Sequence, residues 1–114
     1  MTLTDPIKDK IRSHAKKVFP EECCGLILEN ESGDIVLREC QNSAEDKENR
    51  FKISIEEYLN ALLDGDVAAV YHSHTKGDNS FSSADEEISQ SLELTSVLYI
   101  SSKDSFEVME PDIV

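Results

Sequence analysis

The chain is predicted to fold as an α/β domain, a mixed β-sheet flanked by about three helices. Three observations predict this: apolar residues at helical spacing near the N-terminus, an unbroken apolar run at residues 67–71, and short β-rich runs set off by turn signals. Strands that alternate with helices in this way build a layered sheet covered on both faces. The 114 residues suit one domain spanning 1–114, long enough to bury a core.

The elements follow in order. Ile7, Ile11, Ala15 and Val18 recur every three or four residues, the apolar stripe of a helix over residues 5–18. Thr4 or Asp5 can cap it, Pro6 suits a first turn where its missing N–H is no loss, and Phe19-Pro20 ends it. Residues 24–29 and 34–40 read as two strands of a hairpin around Asn30-Glu31-Ser32-Gly33. Residues 41–49, QNSAEDKEN, form a polar loop, and residues 50–54 resume an extended pattern. Ser54 with Glu57 reads as a capping box before a helix carrying Tyr58, Leu59, Leu62 and Leu63, which Asp64-Gly65-Asp66 stops. Residues 67–71 have no polar break before Tyr71 and predict a strand buried on both faces. A third helix is expected over 83–94. Two strands are expected at 96–101 and 105–110, joined by a tight turn at Ser102-Lys103-Asp104.

Eleven basic and 24 acidic residues give a formal net charge of −13. That balance opposes loose binding to phosphate backbones or anionic membrane surfaces, so neither nucleic acid nor membrane is an expected partner. No apolar run approaches the roughly 20 residues of a membrane span. The opening MTLTDPIKDK mixes acids with bases and lacks the apolar stretch of a secretion signal, so a cytoplasmic location is expected. Cys23, Cys24 and Cys40 are an odd set, and the adjacent pair cannot close an unstrained bridge, so reduced thiols are expected.

The stretch YHSHTKGDNSFSSADEE, residues 71–87, carries the chemistry. Alternate residues of a strand share a face, so His72 and His74 project together if the strand reaches residue 74. Asp85 could complete two imidazoles and a carboxylate, a donor set that suits a catalytic metal with one position left for water. Ser82-Ser83-Ala84-Asp85 also fits a helix cap, the pattern of Ser54 and Glu57, and spacing alone leaves both readings open. His14 stands by itself in the first helix and is expected to be structural. A hydrolase also needs a carboxylate near its water; Glu21 and Glu22, just before the strand at 24–29, are candidates, and composition alone makes them solvated loop residues.

Together these segments resemble the JAMM (MPN-domain) metallopeptidases: Pro20-Glu21-Glu22-Cys23-Cys24-Gly25, then His72-Ser73-His74, seven residues, and Ser82-Ser83-Ala84-Asp85. FPEECCGLIL, CQNSAEDKENRFKIS and VYHSH further resemble the amino-terminal domain of tail-assembly proteins of lambda-like phages, over nearly the whole chain. The resemblance implies the JAMM/MPN fold, which is cytidine deaminase-like, and a zinc ion held by His72, His74 and Asp85. It also implies Glu22 as general base, Ser82 steadying the oxyanion, and hydrolysis of a peptide or isopeptide bond. The implied partners are a peptide or protein substrate, phage tail proteins, or a separate cysteine-peptidase domain; the implied location is the cytoplasm of a bacterial host. Many members carry proline where this chain has Thr75, a position that is not a ligand, and the insertions of ubiquitin-directed members have no counterpart here. Two other classes compete: a non-catalytic scaffold of the same fold in a tail or other assembly, and a cysteine hydrolase using Cys23 or Cys24.

Overall fold

The computed structural model describes residues 2–77, 80–82, 85 and 92–111. Its elements are helix α1 (Asp5–Val18), strands β1 (Cys24–Glu29) and β2 (Ile35–Cys40), helix α2 (Ile55–Leu62), and strands β3 (Asp66–His74), β4 (Thr95–Ile100) and β5 (Ser105–Met109). The strands form one sheet in the order β2-β1-β3-β4-β5. β3 runs antiparallel to β1 and parallel to β4, while β1 with β2 and β4 with β5 are antiparallel. The sheet is therefore mixed, as expected, and β3 lies at its centre.

The centre of the sheet is buried on both faces, which explains the apolar run that ends at Tyr71. On one face Ala69, Tyr71, Val97 and Tyr99 meet Ile7, Ile11 and Ala15 of α1. On the other, Leu26, Leu28 and Val70 meet Ala61 of α2, with Phe51, Ile53 and Tyr58 packed beside them. The pleat places Val70, His72 and His74 on the α2 face and Tyr71 and Ser73 on the α1 face. His14 is buried on the α1 side, its Nδ1 lying 2.7 Å from the Tyr71 hydroxyl. Gly25 is required where β1 passes the Tyr71 ring and the Arg38 carbonyl, because a Cβ there would collide with both.

Local chemistry accounts for the turns. Asn30 N donates to Asp34 O at 2.9 Å, and Gly33 closes the hairpin at φ +83°, a region a side chain would oppose. Asp104 takes φ +49° in the turn before β5.

Two expectations need correction. Residues 50–54 join no strand; Phe51 and Ile53 turn inward onto the second core cluster. In α2 Ala61 is fully buried and Tyr58 packs against the second core cluster, while Leu59, Leu62 and the C-cap Leu63 are exposed. Only half of the first capping box forms: Ser54 Oγ accepts from Glu57 N at 3.2 Å, but the Glu57 carboxylate accepts from Gln41 N at 3.1 Å. Of the third helix expected at 83–94, residues 83, 84 and 86–91 lie outside the described residues; residues 85 and 92 are helical.

Candidate metal centre

The site forms at one end of the central strand. β3 extends to His74, so both histidines leave the same face, and their Nε2 atoms lie 3.2 Å apart. His72 pairs in register with Cys24 of β1 and Leu98 of β4, which leaves its side chain 1% exposed. Asp85 returns over the strand end. Its Oδ2 lies 3.2 Å from His72 Nε2 and 3.1 Å from His74 Nε2. The cap read from the sequence is present as well: Ser82 Oγ accepts from Asp85 N at 3.1 Å, and Ser82 N donates to Asp85 Oδ2 at 2.9 Å. Asp85 thus presents one oxygen both to the cap and to the histidines.

Glu22 joins them from two residues ahead of β1. It is 5% exposed, and donor atoms of Glu22, His72 and His74 all lie within 4.8 Å of one another. Composition favoured a solvated loop carboxylate here; backbone bonding overrides that. Glu22 N donates to Lys47 O at 2.8 Å, and Glu22 O accepts from Asn42 Nδ2 at 3.1 Å. The next residue is tied to β3, because Cys23 N donates to Ser73 Oγ at 2.9 Å.

Burial sets the protonation of these groups. It holds His72 below the usual imidazole range, so the ring stays neutral with one nitrogen lone pair available. Burial opposes the Asp85 carboxylate, but contacts with His72 and His74 and the Ser82 N–H outweigh it and hold the group below the usual range. Glu22 is pushed up to about 7, mainly by burial, with His74 working the other way.

Two nitrogens and one oxygen thus converge with edges of 3.1–3.2 Å. Three lone-pair donors this close repel unless a proton or a cation sits among them. Ligands held at about 2.0–2.1 Å and near-tetrahedral angles lie about 3.3 Å apart, so the triangle matches one face of a zinc coordination shell. The residues fit the group.

Sequence reasoning missed several neighbours. Phe51 stacks on His72 with ring centroids 4.4 Å apart and planes at 19°. That contact orients a ring whose Nδ1 has no hydrogen-bond partner among the described residues. Asn42 bonds to five backbone groups of Glu22 and the loop that follows β2. Thr75, where many relatives of the JAMM pattern carry proline, donates its hydroxyl to Pro20 O at 3.0 Å and so fastens the strand end. No periodicity marks the roles of these three residues. A cleft of about 880 Å³ opens over the site between Glu22, Arg50, Phe51, His74, Phe81 and Asp85. The cysteines are free and buried. Burial pushes Cys23 up to about 11 and holds Cys24 higher still, so neither thiol is set up as the nucleophile of a cysteine hydrolase.

The family described as prokaryotic homologs of the JAB domain matches residues 4–111. The chain belongs to that family. Tail tip assembly protein K of Escherichia phage N15 is 33% identical over 66 residues, which cover 58% of this chain and 27% of the phage protein. The match thus takes in little more than a quarter of that JAB-family chain's phage relative. Among solved structures, a protein of Desulfitobacterium hafniense superposes with a TM-score of 0.73 at 19% identity, covering 97% of this chain and 90% of that one. A Salinibacter ruber protein gives 0.59 at 26% identity, covering 100% and 90%. The first likeness is one of fold. No described helix is long and apolar enough to cross a membrane.

Proposed function

We propose that this chain is a zinc-dependent hydrolase of amide bonds, a metallopeptidase or isopeptidase that acts on a protein during phage tail assembly. One observation carries the reading: His72 Nε2, His74 Nε2 and Asp85 Oδ2 meet at 3.1–3.2 Å beside the buried Glu22. Family membership supports the chemistry, and the likeness to a tail tip assembly protein supports the setting.

A bound zinc ion supplies a Lewis acid and brings the pKa of its water toward neutrality. His72, His74 and Asp85 would hold it. Glu22, buried and close to both imidazoles, takes a proton from the attacking water and passes it to the departing amine. Ser82 Oγ already accepts from Asp85 N, which leaves its hydroxyl hydrogen to donate to the oxyanion of the tetrahedral intermediate. Phe51 and Phe81 flank His72 and keep bulk water from that side of the site.

Metal analysis of the purified chain tests the reading. It predicts one zinc per chain, lost when His72 and His74 are both changed to alanine. A chain that takes up no metal under any condition would instead be a scaffold of the same fold.

A further inference from the structure

The cleft wall carries an unused cation. The chain has three arginines, at 12, 38 and 50, among 24 acidic residues. Arg12 bridges Asp9 and Asp104, and Arg38 meets Asp64. Arg50 pairs with no carboxylate among the described residues, although it lines the cleft beside Glu22, Glu48 and Asp85.

Three acids of this region, Asp46, Glu48 and Asp85, have other partners. Both Asp46 carboxylate oxygens accept from Asn49 Nδ2, at 3.1 and 3.0 Å. Glu48 faces Lys76 Nζ at 3.5 Å, and Asp85 faces the two histidines. The backbone that carries Arg50 is held from both sides: its N donates to Asp46 O at 2.9 Å, and its O accepts from Asn42 Nδ2 at 2.8 Å. Phe51, the next residue, is stacked on His72. The guanidinium therefore stands on a backbone held from both sides, with no carboxylate partner among the described residues, and its planar fork matches a carboxylate. A net charge of −13 repels an acidic segment at long range, and a cation kept free on the cleft wall offsets that repulsion where the segment must enter.

We infer that Arg50 binds a carboxylate of the substrate beside the scissile amide, so the preferred substrate is a peptide segment bearing an acidic side chain or a free chain end. The inference rests on the hydrolytic reading above for the identity of the substrate, but its test does not need turnover. Blocked alanine peptides with a central glutamate, the same peptides with glutamine, and alanine peptides ending in a free acid or an amide are titrated into the full chain. A Glu22→Gln background keeps the peptides intact. The acid should bind about tenfold more tightly than its neutral twin, roughly 1.4 kcal/mol. The preference should shrink at high salt and vanish in Arg50→Gln. Whichever pair shows it assigns the carboxylate to a side chain or to a chain end. Equal binding of acid and neutral twin, or a preference that survives Arg50→Gln, overturns the inference. Zinc content is measured alongside: a chain that selects acids without holding zinc keeps the subsite and loses the hydrolytic reading.

Discussion

Replacing Asn42 by alanine should loosen the candidate site without touching any proposed ligand. Asn42 Nδ2 donates to Glu22 O, Lys47 O and Arg50 O at 3.1, 3.2 and 2.8 Å. Its Oδ1 accepts from Ala44 N and Lys52 N at 3.0 and 3.2 Å. An amide nitrogen has only two hydrogens, so one of the three donated bonds is shared and the side chain contributes about four bonds. At about 0.5–1 kcal/mol each in a half-exposed setting, Asn42→Ala should cost about 2–4 kcal/mol. Asn42→Asp separates this account from simple loss of packing. It keeps the acceptor and shape but turns a carboxylate oxygen toward three carbonyls, so near neutral pH it should destabilise at least as much as alanine. Urea unfolding of the three chains measures both effects. An aspartate variant as stable as wild type, or an alanine cost below about 0.5 kcal/mol, would refute the latch.

Two further outcomes follow from burial. His14 sits below the usual imidazole range because burial penalises its charged form, with Glu39 opposing. The unfolded chain therefore takes up a proton as the pH falls through about 6.5 while the folded chain does not, and wild type should lose up to about 1.4 kcal/mol per pH unit relative to His14→Gln. Equal slopes in pH-dependent urea melts would contradict this. The three free thiols are buried, with Cys40 pushed up to about 12, so iodoacetamide should leave the native chain unlabelled and modify all three after denaturation. Mass spectrometry reads the difference; rapid native labelling of Cys23 or Cys24 would reopen a thiol-based mechanism.

Much of the fold was legible because its strongest signals are periodic. The apolar stripe of α1 gave that helix its bounds, and the unbroken run into Tyr71 marked β3 as central, since only a strand covered on both faces has no need of polar residues. α2 was legible as a helix, but which side meets the sheet was not: Ala61 is the contact that lets the helix approach. The pairing of His72 with His74 could be read from strand alternation. The approach of Asp85 and Glu22 could not, because it depends on how two loops close over the sheet end. Those closures rest on Asn42, Thr75 and Phe51, polar or single residues that leave no pattern in the sequence.

The central claim is that four side chains from three separate segments form one hydrolytic centre, with three residues holding zinc and Glu22 moving the proton. The most direct test compares wild type with Glu22→Gln for bound zinc and for cleavage of a protein and peptide panel. Glutamine fills the same space but cannot take a proton, so the variant should retain one zinc per chain and lose turnover by a factor of about 10²–10⁴. A Glu22→Gln chain that cleaves as fast as wild type would contradict the claim.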